Sequence, residues 1–165
     1  MGSFLALACL VILSGLGLAA SGVVKLTSKV SASILATPTP DSAGEAPFKA
    51  YRGVALRMPV AQVTEKLGAP TQRSKAGDYY AISSTESVQI TYDADQTVKS
   101  VSINFTGDLK TAPTPKEVVG TDIKKDADGI MNKMVSFPKD GFWVSYTRTA
   151  GKEATIIISL QKLAQ

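Results

Sequence analysis

The fold of this chain is decided by residues 87–105, which read SVQITYDADQTVKSVSINF. Apolar and polar residues alternate on each side of a polar centre, Asp93-Ala94-Asp95-Gln96, which has turn chemistry. Because successive side chains of a β-strand point to opposite faces, the alternation predicts two antiparallel strands, at 87–92 and 98–105, with one buried face. An antiparallel sheet is therefore the expected framework of the domain.

The same pattern extends outward along the chain. Four further strands are predicted, at 79–84, 131–137, 142–148 and 155–163. Turn-forming residues at 138–141 and 149–152 separate the last three. The two groups of strands share a similar centre, since Ile90-Thr91-Tyr92 matches Val144-Ser145-Tyr146. The pattern thus indicates two three-stranded meanders.

A short helix is predicted before each meander. In the first helix, Val60, Val63 and Leu67 share one face, Pro59 suits the first helical position, and Gly68 stops the helix. The second helix opens with the capping box Thr114-Pro115-Lys116-Glu117 and is stopped by Gly120.

The expected fold class is accordingly α+β. We predict an antiparallel sheet of about six strands with the short helices on one face. Two helix-plus-three-strand-meander units, at 48–108 and 109–165, are expected to build it and to pack together as one domain.

The N-terminal segment predicts export. Residues 1–24 carry no charged side chain, and their apolar core, FLALACLVIL at 4–13, is followed by small residues, as is typical of a secretory signal peptide. The alternative is an uncleaved membrane anchor at 4–24, because about 20 apolar residues span a bilayer. Residues 25–47, which contain Thr37-Pro38-Thr39-Pro40, are predicted to form a flexible linker. We expect a protein of the periplasm or outer envelope, or one anchored by a single N-terminal transmembrane helix.

Composition excludes most common catalytic centres. The 165-residue chain has no histidine and a single cysteine, Cys9, which rules out Ser-His-Asp triads, Cys-His pairs and His-rich metal sites. Carboxylate pairs such as Asp78 and Glu86 stay formally open, but no hydrolase motif accompanies them. Residues 122–129 lack the ligand spacing of a calcium loop. We therefore expect no enzyme activity, no metal and no cofactor.

The charge pattern argues against a nucleic-acid partner. The net charge of +4 is spread along the chain, with no like-charge run longer than Lys124-Lys125. Proteins that bind nucleic acids concentrate basic and aromatic residues on one surface. A diffuse positive balance of this size is typical of a surface that serves solubility.

The stretch 51–70 reads YRGVALRMPVAQVTEKLGAP. It resembles the SmpA/OmlA (BamE-like) envelope-protein family, whose pattern has a Gly-Met-Thr/Ser helix start, a Gln/Glu-Val pair, and Leu-Gly-x-Pro before a β-meander. The residues that match are Leu56, Met58, Gln62-Val63, Leu67-Gly68 and Pro70. Arg57 stands where the family has glycine, and Pro59 stands where it has a hydroxyl helix cap.

The two predicted units also resemble the architecture of β-lactamase inhibitor protein, in which two helix-and-meander units are joined in tandem. Together the resemblances imply a non-catalytic envelope or secreted domain that binds another protein through its sheet and loops. Inhibition of a secreted enzyme is the alternative function, and an unrecognised hydrolase is a further one.

The strand at 142–148 suggests where a partner binds. Phe142, Val144 and Tyr146 share one face of this strand and Trp143 lies on the other. If the first face is the core, Trp143 lies on the open face with Ile157 of the next strand, and an aromatic residue there is a typical interface anchor. Alternatively, Trp143 packs under the linker or a loop of its own chain. We predict Trp143, Ile157 and Tyr79 as protein-binding residues.

Overall fold

The computed structural model describes residues 44–164. The predicted signal peptide or anchor and the predicted linker up to residue 43 lie outside the described residues. Ala46 is already buried in the core, so the folded part includes residues just before Phe48. Within the described part, no helix has the length and apolar character needed to cross a membrane.

The described chain contains nine strands, two α-helices and one 3-10 helix, at Leu109–Thr111. The helices are α1 (Val60–Leu67) and α2 (Pro115–Val119). The strands are β1 (Ala50–Tyr51), β2 (Val54–Ala55), β3 (Gln72–Ser74), β4 (Gly77–Ala81), β5 (Glu86–Tyr92), β6 (Val98–Phe105), β7 (Met131–Phe137), β8 (Phe142–Arg148) and β9 (Ile156–Lys162).

The main sheet has seven antiparallel strands in the order β3-β4-β5-β6-β9-β8-β7. The two meanders therefore meet in the middle, where β6 pairs with β9 and Ile103 lies opposite Ile158. This arrangement places β3 and β7 at the two edges. A separate hairpin, β1-β2, turns through Arg52 and Gly53, which both have positive φ angles, as a two-residue type I′ turn requires.

The predicted fold class is wrong, because the described chain is mostly β rather than a balanced α+β structure of helix-plus-meander units. The two α-helices have only eight and five residues. The first half also contains β1, β2 and β3, which the sequence analysis missed. Strands of two or three residues are too short to show an alternating pattern, so they leave no periodic signal.

The six predicted strands are present in the structure. Strands β6, β7 and β8 have the predicted bounds, and β5 and β9 differ from the prediction by one residue at their ends. Strand β4 ends earlier than predicted because the amides of Ile82 and Ser83 both donate to the carbonyl oxygen of Glu86, which forms a turn.

Both predicted helices are confirmed, with one change at the start of α1. Pro59 is extended and occupies the N-cap rather than the first helical position, whereas Thr114 and Glu117 form the predicted capping box of α2. The helices bury Val63, Val118 and Val119 in the same apolar cluster as the inner face of the sheet. Full burial of such a side chain stabilises the fold by roughly 1.5–3 kcal/mol.

Candidate functional site

The seven-stranded sheet has one sealed face and one open face. Along β8, Phe142, Val144 and Tyr146 are buried, whereas Trp143 and Ser145 are only partly buried. The buried residues of the helices and of the β1-β2 hairpin belong to the cluster on the sealed side, which we call the core face. The opposite face is therefore left uncovered by the described helices.

We define the open face as the residues at paired positions of the main sheet that alternate with the buried ones. They are Gln72, Ser74, Gly77, Tyr79, Ala81, Ser87, Gln89, Thr91, Ser100, Ser102, Asn104, Asn132, Met134, Ser136, Trp143, Ser145, Thr147, Ile157, Ser159 and Gln161. None of these residues is charged, although charged residues make up 19% of the chain.

The charged residues of the paired strand positions all lie on the core-face side, mostly at its margins. They are Arg73, Asp78, Glu86, Lys133, Arg148 and Lys162. Lys99 is the extra residue of a bulge in β6 and has no partner across the strands. Charged residues usually make up about 25–35% of the surface of a soluble protein. In this sheet the charged residues lie instead on the same side as the core.

Short polar side chains pair across neighbouring strands of the open face. The hydroxyl oxygens of Thr91 and Ser100 lie 2.6 Å apart, and those of Ser102 and Ser159 lie 3.3 Å apart. Near the β7 edge, the hydroxyl of Thr147 donates to the side-chain oxygen of Asn132 at 3.2 Å. These pairs hold polar groups in place without long, mobile side chains.

All three predicted binding residues lie on the open face. Tyr79 and Ile157 are 40% and 38% exposed and are the exposed large hydrophobic residues of the described chain, while Trp143 is partly buried. The structure does not bring them together. Trp143 lies opposite Gln161, four residues from Ile157 along β9, which separates them by about 13 Å. Tyr79 is four strands away from Trp143, or roughly 19 Å.

No protein-family model matches the chain, and no curated protein or solved structure is significantly similar to it.

Arg57 has a backbone conformation that is unusual for an arginine. Arg57 has a φ angle of 66°, which lies in the left-handed region that glycine adopts without strain. Its amide donates to the carbonyl oxygen of Val98 at 2.8 Å, and its side chain reaches the carbonyl oxygen of Asp140 at 3.3 Å. These contacts hold an arginine in a conformation that suits glycine.

Asp78 is the buried charged residue of the described chain. The Arg73 guanidinium donates to both of its carboxylate oxygens, at 2.8 and 2.9 Å, and the Tyr92 hydroxyl donates at 3.1 Å. The Arg73 hydrogen bonds hold the pKa of Asp78 below its usual value, and burial raises the pKa of Tyr92. The buried Tyr80 hydroxyl beside this group has no hydrogen-bond partner in the described chain.

Asp78 and Glu86, the carboxylate pair that the sequence left open, do not lie close together. Asp78 lies opposite Ile90, and Glu86 is four residues from Ile90 along β5, about 13 Å away. Glu86 accepts hydrogen bonds from Tyr51 and Arg52, so each carboxylate has its own arginine partner. This arrangement stabilises the sheet margin and provides no shared site for a substrate.

The aspartates at 122–128 do not form a metal site. The described residues contain no group of three or more acidic, cysteine or histidine side chains that could hold an ion. Asp126 accepts hydrogen bonds from the amides of Asp128 and Ile130, at 3.0 and 2.8 Å, and so closes its own turn.

Proposed function

We propose that this chain is a non-enzymatic, exported envelope or secreted domain that binds another protein, as its likeness to the SmpA/OmlA family implies. The proposed binding surface is the open face. The observation that carries the proposal is the absence of charge on this face, together with the apolar side chains of Tyr79, Trp143 and Ile157.

Removal of water from such a face costs little free energy. Burial of a charged group without a partner costs several kcal/mol, whereas several polar side chains here are neutral and already share hydrogen bonds with a neighbour. The cores of protein interfaces are depleted of charge and enriched in aromatic residues. A neutral face with separate aromatic and aliphatic anchors fits that description.

The dimensions of the open face also suit a protein partner. Seven strands about 4.8 Å apart span roughly 29 Å, and the seven-residue strands are about 24 Å long. That area approaches the ~800 Å² that one partner contributes to a standard interface.

Crosslinking in envelope fractions, with matched variants of the full chain, tests this proposal. We expect the Gln89→Arg variant to weaken partner capture at least tenfold, because it places a charge on the open face. Gln62 is exposed on α1, so Gln62→Arg provides the same chemical change away from the face and should leave capture unchanged. Equal capture by both variants would place the binding surface elsewhere.

Two further outcomes separate the alternative functions. Stoichiometric inhibition of a captured secreted enzyme would identify an inhibitor of the β-lactamase inhibitor protein type. Turnover of a substrate panel by the purified chain, abolished by one Ser or Asp substitution, would contradict a non-enzymatic role.

A further inference from the structure

The two edges of the main sheet differ in length and composition. Strand β3 has three residues and follows Pro70 closely, whereas β7 has seven residues and no proline. Proteins usually protect a long edge strand, because its unpaired backbone groups form a template for another strand. Within the described chain β7 pairs with β8 alone, so its outer side is open.

The register shows which backbone groups of β7 face outward. The amide of Leu163 donates to the carbonyl oxygen of Gly141, so the next residue, Phe142, directs its backbone groups away from β9 and towards β7. Antiparallel strands alternate in this respect, so every second residue of β7, starting from Phe137, bonds to β8. The residues with outward backbone groups are Asn132, Met134 and Ser136. No backbone hydrogen bond from elsewhere in the described chain reaches them.

Two cationic side chains lie beside this edge. Lys133 is on the core-face side of β7 opposite Tyr146, and Arg148 is two residues further along β8, which places their Cβ atoms roughly 7–8 Å apart. Neither residue forms an ion pair within the described chain. The nearest acidic residues before β7 in the sequence are Asp128, which is exposed, and Asp126, whose carboxylate is held by its own turn.

We propose that β7 binds an extended segment of a partner protein by strand addition, with an acidic residue of that segment beside Lys133 and Arg148. Only an extended polypeptide can satisfy alternating amide donors and carbonyl acceptors along an edge. The outward groups of Asn132, Met134 and Ser136 supply these bonds. A carboxylate beside the two cations supplies the charge that the described chain lacks there.

The charges favour this partner over a second copy of the chain. In a symmetric pairing of two β7 strands, the two Lys133 side chains lie on the same face of the joined sheet. They would come close together with no carboxylate between them, and like charges on neighbouring strands are destabilising. Asn132, Met134 and Ser136 place their side chains on the open face, but this inference uses their outward backbone groups, so it does not depend on the proposed function.

Selection from a random ten-residue peptide library on the immobilised full chain tests the proposal. We expect selected peptides to be rich in β-branched and acidic residues. A labelled selected peptide should bind Ser136→Pro at least tenfold more weakly by fluorescence anisotropy. Proline is tolerated at that position, because the lost amide faces away from β8. Gln62→Arg, at an exposed position of α1, should bind the peptide unchanged.

A charge reversal keeps the test decisive if Ser136→Pro fails to fold. Lys133→Glu leaves the backbone intact. It should weaken the binding of acidic peptides at least fivefold and strengthen the binding of basic ones. Selected peptides without acidic residues, or binding unaffected by both variants, would overturn the proposal. A dimer of the wild-type chain that Ser136→Pro dissociates, measured by light scattering, would identify a second copy as the occupant and overturn it as well.

Discussion

The two faces of the main sheet arise from the same alternation of residues along the strands, but they carry different kinds of side chain. The core face buries branched aliphatic and aromatic side chains and carries charges at its margins, where Arg73 neutralises Asp78 and Lys162 neutralises Asp93. The open face carries no charge at any paired position. Solubility alone would favour the reverse placement, since a charged side chain is easiest to hydrate on an open surface. The difference indicates that the open face is suited to contact rather than to solvation.

The largest expected effect compares adjacent residues of β9. Ile158 is fully buried on the core face, so Ile158→Ala should lower the free energy of unfolding by about 2–5 kcal/mol, through lost burial and a residual cavity. Ile157 is on the open face, and Ile157→Ala should cost about 1 kcal/mol or less. Urea denaturation measures both changes. Similar losses would mean that the open face is covered, contrary to the contrast between the faces.

The sequence predicts part of this contrast between the two faces. The alternation in 87–105 and in four further stretches predicted six strands, and in 142–148 and 155–163 it predicted the faces of Trp143 and Ile157, because a period of two is visible in single strands. The register between strands depends on long-range pairing that no local pattern records. The distances between Tyr79, Trp143 and Ile157 were therefore beyond prediction.

The balance of helix and strand was also beyond local reasoning. Helix starts and stops such as Pro59 and Gly68 identify a helix, yet they do not show how small its share of the whole structure is. The very short strands β1, β2 and β3 exist because the turns at Arg52-Gly53 and before Gly77 bring the chain back on itself. Arg52 has a left-handed backbone conformation, which an arginine in the sequence does not indicate. The same is true of Arg57.

A smaller effect is expected at the charged margin of the core face. Asp78→Asn should lower the free energy of unfolding by about 1–3 kcal/mol, because it weakens the hydrogen bonds from Arg73 and Tyr92. The pKa of Asp78 is lowered in the folded state, so the unfolded chain binds its proton more readily. The stabilisation is therefore complete at neutral pH and is lost as the pH falls below the ordinary aspartate pKa of 3.8.

Urea denaturation at neutral pH and at successively lower pH checks this assignment. The wild-type chain should lose more stability on acidification than Asp78→Asn, since the variant lacks the titrating group. Asp128 is exposed in a turn, and Asp128→Asn should behave as the wild-type chain does. An acid response that Asp78→Asn leaves unaltered would assign the loss to other carboxylates.

The smallest effect on stability, and the sharpest test of the contrast, is expected from a charge on the open face. Ser159 lies on β9 near the centre of that face, opposite Ser102 and Ser145. Ser159→Lys exchanges one weak hydroxyl contact for a side chain that extends into water, so the free energy of unfolding should change by about 1 kcal/mol or less. Ser159→Thr is the control that keeps the hydroxyl and adds no charge.

The stability of Ser159→Lys in urea and its capture of the partner have to be interpreted together. Unchanged stability in urea with loss of partner capture means that the neutral character of the face serves binding. A loss of several kcal/mol would instead show that the lysine is buried, which requires another part of the chain to cover the face. In that case the absence of charge would be a property of the core, and the binding surface would have to be sought at the β7 edge.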